Sequence, residues 1–391
     1  MMRTFLMLSA LALATPLAAQ DAPVTAVPQS EAEQSRLRQV GAEVLFWSQE
    51  QRDANFPNME KVFPVHVVEA SATPRPLPPG APLPIDAAAL DAFIAEQNIA
   101  GLIVVQDGKV RLERYARGYG PEGRWTSFSV AKSFTSTLLG AAIADGYIDS
   151  VDEPVTKYIP ELAGSAYDGV SIAQLLTMTS GARWNEDYTD PNSDVARMFL
   201  EPVPAGEDPT VYFMRRLERE AEPGSKWVYK TGETNLIGVL VRNATGKSLA
   251  EYLSEKVWQP YGMETDAVWM VDPSGNEVSG CCLSVSLRDY ARFGQFILEG
   301  APGVVPEGWM ADATRAHATV RPGGFGYGYQ WWTYPEGRYG AQGIFGQTIT
   351  IDPESRTVVV ISGAWPRASD PALWAERAAF VDRLIDATDA E

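Results

Sequence analysis

Apolar and polar positions divide this chain into a strand-rich beginning and end around a helix-rich middle. Residues 86–98 place Leu90, Phe93 and Ile94 on one helical face. Residues 100–106 form an apolar run of strand length, and Asp107-Gly108 has the chemistry of a hairpin turn. Residues 109–115 then alternate as the returning strand. A long apolar-faced helix is predicted over 129–144, stopped at Gly146, and further helical patterns cover 171–178, 209–221, 234–244 and 248–258. Helices at 286–298 and 307–317 precede strands at 327–334, 339–345, 348–352 and 357–363, and a last helix covers 371–387. This order predicts an α/β (α+β) fold: one antiparallel sheet built from both chain ends and flanked by helices, with a mostly helical domain inserted. The sheet domain is expected at 85–147 and 281–391, and the helical domain at 148–280. No internal repeat is visible.

The segment before residue 85 has a different texture. Arg3, the apolar run from Phe5 to Ala14 and the small residues up to Ala19 have the layout of a secretory signal over 1–19, which predicts a periplasmic or secreted protein. Residues 20–84 then form an arm and a strap. Residues 21–38 are polar and predict a mobile stretch. Residues 40–68 carry Phe46, Trp47, Phe56, Met59 and Phe63, too many large apolar groups for a free tail, and predict an arm packed on the body. Ser71 to Pro84 holds six prolines and predicts an extended strap over the surface.

Composition narrows the function. The 391 residues carry 32 Lys and Arg against 50 Asp and Glu, a net charge of −18, which excludes a basic nucleic-acid or anionic-membrane surface. With His66 and His317 the only histidines, a multi-histidine metal site is excluded, and neither metal nor cofactor is expected. No segment after the signal has eighteen consecutive apolar residues, so no membrane span follows it. The oligomeric state stays open. Cys281 and Cys282 are the only cysteines. Adjacent Cα atoms lie about 3.8 Å apart, below the usual bridging range, so two free thiols are expected.

Three segments carry candidate chemistry. In Ser129-Val130-Ala131-Lys132 a serine and a lysine three residues apart on a helix share one face. A desolvated lysine can take the serine proton, and a helix N-terminus favours the negative charge that develops. Tyr229, in Tyr229-Lys230-Thr231-Gly232, sits in a polar turn feeding a helix, where a phenol can shuttle a proton. The third segment, Gly340 to Gln347, places glycines inside a strand pattern, where another group can approach the backbone.

Together and in this order, these segments resemble the serine β-lactamase and penicillin-recognising superfamily. The likeness is strongest to the branch of class C β-lactamases, family VIII esterases and 6-aminohexanoate-dimer hydrolases. Leu175 to Gly181, Leu287 to Gly294 and the arm around Arg52, Phe56 and Met59 strengthen it. The resemblance implies a β-lactamase/transpeptidase-like fold and a small-molecule amide or ester substrate cleaved through an acyl-serine. It implies Ser129 as nucleophile, Lys132 as base partner, Tyr229 as proton relay, and the backbone N–H groups of Ser129 and Ile344 as oxyanion hole. Substrate contacts are expected from Tyr188, Gly343, Trp184 and Trp331. Two departures stand out: Thr231 replaces the asparagine of Tyr-x-Asn, and Ala341-Gln342-Gly343 replaces Lys-Thr-Gly. Both remove groups that recognise penicillins. A β-lactamase or D-alanyl-D-alanine carboxypeptidase is the alternative, and a non-catalytic binder of cell-wall peptides the third reading.

Overall fold

A computed structural model describes residues 30–388, so the predicted signal over 1–19 lies outside the described residues. In chain order the strands are β1 (Val65–Val68), β2 (Ile99–Gln106), β3 (Lys109–Tyr115), β4 (Trp125–Thr126), β5 (Ala267–Met270) and β6 (Leu283–Val285). The rest are β7 (Ala318–Arg321), β8 (Phe325–Tyr327), β9 (Trp332–Thr333), β10 (Tyr339–Gln342), β11 (Thr348–Asp352) and β12 (Thr357–Gly363). The main sheet has the order β3-β2-β12-β11-β10-β9-β8-β7, every neighbour antiparallel, and joins the two chain ends as the pattern predicts. A second sheet, β1-β5-β6-β4, was not anticipated; it ties the N-terminal arm to the middle of the chain.

Both faces of the central strands are covered, which is why β2 and β12 read as continuous apolar runs. Ile103 and Val105 of β2, with Val358 and Val360 of β12, face the main core. Their alternates Leu102, Val104, Val359 and Ile361 face a smaller core under the helices Ala87–Glu96 and Pro371–Asp386. There Phe93 and Phe380 stack at 3.7 Å. The helix Leu287–Leu298 lies on the main-core face, and the helix Ala131–Ala144 runs through its centre, buried along nearly its whole length.

The N-terminal arm packs on the body as expected, with Phe56 and Met59 fully buried. The polar stretch predicted to be mobile is helical from Glu31, because Ser30 caps the helix Glu31–Glu43 through the Glu33 amide and Leu37 is buried. The proline strap covers the edge of β3: Gly80 N–H donates to Val110 O at 2.8 Å, and Val110 N–H to Pro78 O at 2.9 Å.

Other differences have local causes. The predicted strand 327–334 is a hairpin of β8 and β9, because Gln330 takes a left-handed φ of 62° and turns the chain. The predicted helix 209–221 stops at Met214, beyond which the chain pairs with the Gly181–Arg183 segment. Cys281 and Cys282 are joined in a vicinal disulfide rather than left as thiols. Cys282 has a φ of 67°, and this left-handed turn brings the two sulfurs together although the Cα atoms are only 3.7 Å apart.

Candidate active site

Ser129 sits where β4 gives way to the helix Ala131–Ala144. The preceding residue, Phe128, has a φ of 42°, a conformation that costs a bulky side chain about 1–3 kcal/mol. Packing holds it there: its ring meets Phe56 of the arm at 5.1 Å and Phe345 at 4.9 Å. Ser129 is left only 9% exposed at the bottom of a cleft.

Lys132, one helical turn on, is fully buried. Its Nζ donates to Thr231 Oγ1 at 3.0 Å and to Gly280 O at 2.9 Å. Gly280 is fixed in turn by Asn235, whose Oδ1 accepts from the Gly280 amide at 2.8 Å. Burial pushes the lysine pKa down to about 8, opposed by the nearby charge of Glu186.

Tyr229 immediately precedes the helix Thr231–Thr245, and its ring stacks on Trp332 at 5.6 Å. Lys132 Nζ is 5.3 Å from the centre of that ring. Burial pushes the phenol upward, the neighbouring Ser129 hydroxyl pulls it back, and Glu186 raises it again. Lys230 turns away from the cleft to pair with Glu233 at 3.3 Å. Lys230-Thr231-Gly232 thus enters a helix and no sheet strand.

Ile344 lies outside the strand predicted for it, because β10 ends at Gln342 and the chain turns. Gln347 builds that turn: its carbonyl accepts from Gly343 N–H at 2.8 Å and its Oε1 from Phe345 N–H at 3.2 Å. The Ile344 amide itself finds no acceptor among the described residues. Gly343 presses against the serine turn so closely that a Cβ there would lie 2.7 Å from Ser127 O. The turn therefore holds a free N–H beside Ser129.

The aromatic residues expected in the cleft divide. Tyr188 lines the cleft and donates to Glu186 Oε1 at 2.8 Å. Trp184 does not line it: it is buried against Phe213 and its N–H is bonded to Glu186. Trp331 is fully buried between Phe293 and Tyr339, and Trp332 occupies the cleft wall instead. After the turn at Gln330, adjacent residues face opposite sides of the sheet, so only one of the two tryptophans can face the cleft.

Two cavities flank this centre. A groove of about 460 Å³ is walled by Tyr229, Trp332, Tyr334, Ile344 and Trp374, with Arg321 among its lining residues. A slot of about 80 Å³ touches Ser129 and Ile344 and is closed by Gly41, Leu45, Phe199 and the Cys281–Cys282 pair. A larger cavity, about 950 Å³, lies between the helix Glu31–Glu43 and residues 272–278 and touches none of Ser129, Lys132, Tyr229 or Ile344.

Three contributors escaped the sequence reading. Glu186 lies in an acidic loop that reads as solvated surface. Gly280 and Gln347 act through backbone or amide groups that leave no compositional signal.

This geometry suits a serine hydrolase, and the comparisons agree. The chain matches the Beta-lactamase family over residues 87–381 and belongs to that family; it is a serine hydrolase. It is 33% identical over 300 residues to the 6-aminohexanoate-dimer hydrolase of Paenarthrobacter ureafaciens, covering 71% of this chain and 75% of that protein. The structure of a Bacillus anthracis protein, provisionally assigned as a 6-aminohexanoate-dimer hydrolase, superposes with a TM-score of 0.73 at 23% identity. That match covers 85% of this chain and 93% of the other. EstCE1, a hydrolase with promiscuous acyltransferase activity, superposes at 0.61 with 16% identity, over 77% and 97% of the two chains.

Proposed function

We propose that this protein hydrolyses linear amides or esters through an acyl-Ser129 intermediate and is exported to the periplasm or beyond. The observation that carries the reading is Ser129 itself, set beside a desolvated lysine, a phenol and a free amide, with a cavity on either side.

Neutral Lys132 takes the proton of Ser129 as Oγ attacks the substrate carbonyl carbon. The oxyanion is received by the N–H groups of Ser129 and Ile344. As the C–N or C–O bond breaks, Tyr229 gives its proton to the leaving group and is reprotonated from Lys132. Water then attacks the acyl-serine, its proton returning through the same pair, and the acid is released.

The slot takes the apolar methylenes of an acyl chain, since no charged side chain lines it. The leaving group lies in the groove, with Arg321 held at 3.9 Å from the Phe325 ring and 4.1 Å from the Trp374 ring. No carboxylate pairs with Arg321 among the described residues, which suits a leaving group that ends in one. The likeness to the dimer hydrolase supports this, since that protein's name denotes a linear amide. Penicillin recognition is less well served, because Ala341 stands buried where the resemblance calls for a lysine.

Turnover of p-nitrophenyl butyrate, a linear 6-aminohexanoate dimer and a chromogenic cephalosporin tests this, each with wild type and Ser129→Ala. Ester or dimer hydrolysis that is lost in the variant is the expected result; fast cephalosporin turnover would move the protein to the lactamases. N-terminal sequencing of the secreted protein checks export, with a start after Ala19 expected.

A further inference from the structure

Lys132 presents a problem of hydrogen-bond direction. A neutral amine has two N–H groups and one electron pair, and only that pair can take the proton of Ser129. Two contacts of Nζ are known: Gly280 O, which can only accept, and Thr231 Oγ1, a hydroxyl that can accept or donate. If Thr231 donated, its proton would occupy the electron pair and the base would be lost.

Glu186 decides the direction. Its Oε1 takes the Thr231 hydroxyl, and its Oε2 takes the Thr231 amide at 2.9 Å. Tyr188 and Trp184 donate to the same carboxylate. Four donors surround its two oxygens. The first turn of the helix Thr231–Thr245 adds a favourable dipole. With its proton committed to Glu186, Thr231 has only lone pairs to offer Lys132.

We propose that Glu186 is a positioning residue that fixes the Thr231 hydroxyl as an acceptor, so that the electron pair of neutral Lys132 is left for Ser129. Glu186 and Thr231 together thus stand in for the missing asparagine at position 231. The proposal rests on the acyl-Ser129 reading above. Among the described residues, Glu186 from the loop before the helix Asp194–Leu200 and Tyr229 are the titratable groups facing Lys132. Cys281 and Cys282 are bridged, and Lys230 points to Glu233.

The test is the rate at which a fluorophosphonate probe labels Ser129, measured against pH in the full-length protein, with Ser129→Ala as control. Glu186→Gln keeps the shape and should lower the rate by roughly ten- to a hundredfold. It should also move the acidic limb to lower pH, because the charge that raises the lysine pKa is gone. Thr231→Ser should retain most of the rate and Thr231→Val should not. In the Thr231→Val background Glu186→Gln should cause little further loss, since the carboxylate acts through the hydroxyl. A merely structural role would instead give additive losses and an unmoved pH limb, and either result overturns the proposal, as does a Glu186→Gln rate within twofold of wild type. If wild type is not labelled at Ser129 at all, the acyl-serine reading fails and this proposal with it. Thermal melting of each variant separates loss of fold from loss of positioning.

Discussion

The two sides of Ser129 are built on different principles. On one side the slot is small and apolar, roofed by Gly41 and Leu45 of the arm and floored by the Cys281–Cys282 bridge. On the other the groove is several times larger and aromatic, with hydrogen-bonding groups and Arg321 stacked over Phe325. An apolar wall discriminates chain length by about 1–3 kcal/mol per methylene, whereas a charged or polar group discriminates by what it would leave unpaired. Under the proposed function, the acyl chain goes to the slot and the leaving group to the groove. The arm joins the two turns: Phe56 packs on Phe128 and on Phe345, bracing the serine turn and the turn that carries the Ile344 amide.

Changes at the shared centre should erase both sides at once. Ser129→Ala should lower kcat by at least about 10⁴-fold on every substrate, measured by ester and amide turnover. Gly343→Ala should cost about 10²- to 10³-fold in kcat, because the added methyl would displace the turn carrying the Ile344 amide. The pH profile of kcat/KM reports the base. Lys132 works when neutral and its pKa is pushed down to about 8, so kcat/KM should rise with pH through that value and fall below it. The limb belongs to the coupled Lys132–Tyr229 pair.

Smaller effects should separate the two sides. Gly41 lines the slot and has open space where a Cβ would be, so Gly41→Leu fills the slot while improving helix propensity. It should reduce hexanoyl-ester turnover about tenfold relative to acetyl ester, read as a ratio of kcat/KM values. Arg321→Ala should raise KM a few-fold for amides whose leaving group ends in a carboxylate and leave p-nitrophenyl esters unchanged. If Gly41→Leu alters leaving-group preference, or Arg321→Ala alters acyl preference, the assignment of the two sides is reversed.

Much of this was legible in the sequence where local pattern and final structure agree. The β2–β3 hairpin is announced by Asp107-Gly108, both of which take positive φ. The helix carrying Ser129 and Lys132 is announced by its apolar run, and the three-residue spacing puts both side chains at one end of the cleft. The second sheet gave no such signal: β4 has two residues, β6 three, and Trp125 pairs with Val285, 160 residues away. Ile344 reads as a strand residue but lies in a turn, since β10 ends at Gln342 and the turn depends on the Gln347 side chain. Trp331 and Trp332 cannot be told apart by composition, because a single left-handed residue, Gln330, decides which one faces the cleft. Glu186 stayed hidden because Thr231, whose amide and hydroxyl it accepts, comes from the distant segment that begins the helix Thr231–Thr245.

The central claim is that Ser129 carries the acyl group. Mixing the protein with p-nitrophenyl butyrate, quenching in acid and measuring intact and peptide masses tests it directly, with Tyr229→Phe included to slow deacylation. A gain of one butyryl group on the peptide holding Ser129, absent in Ser129→Ala, is the predicted result. Ester hydrolysis that proceeds with an acyl group on another residue, or that persists in Ser129→Ala, would contradict the account.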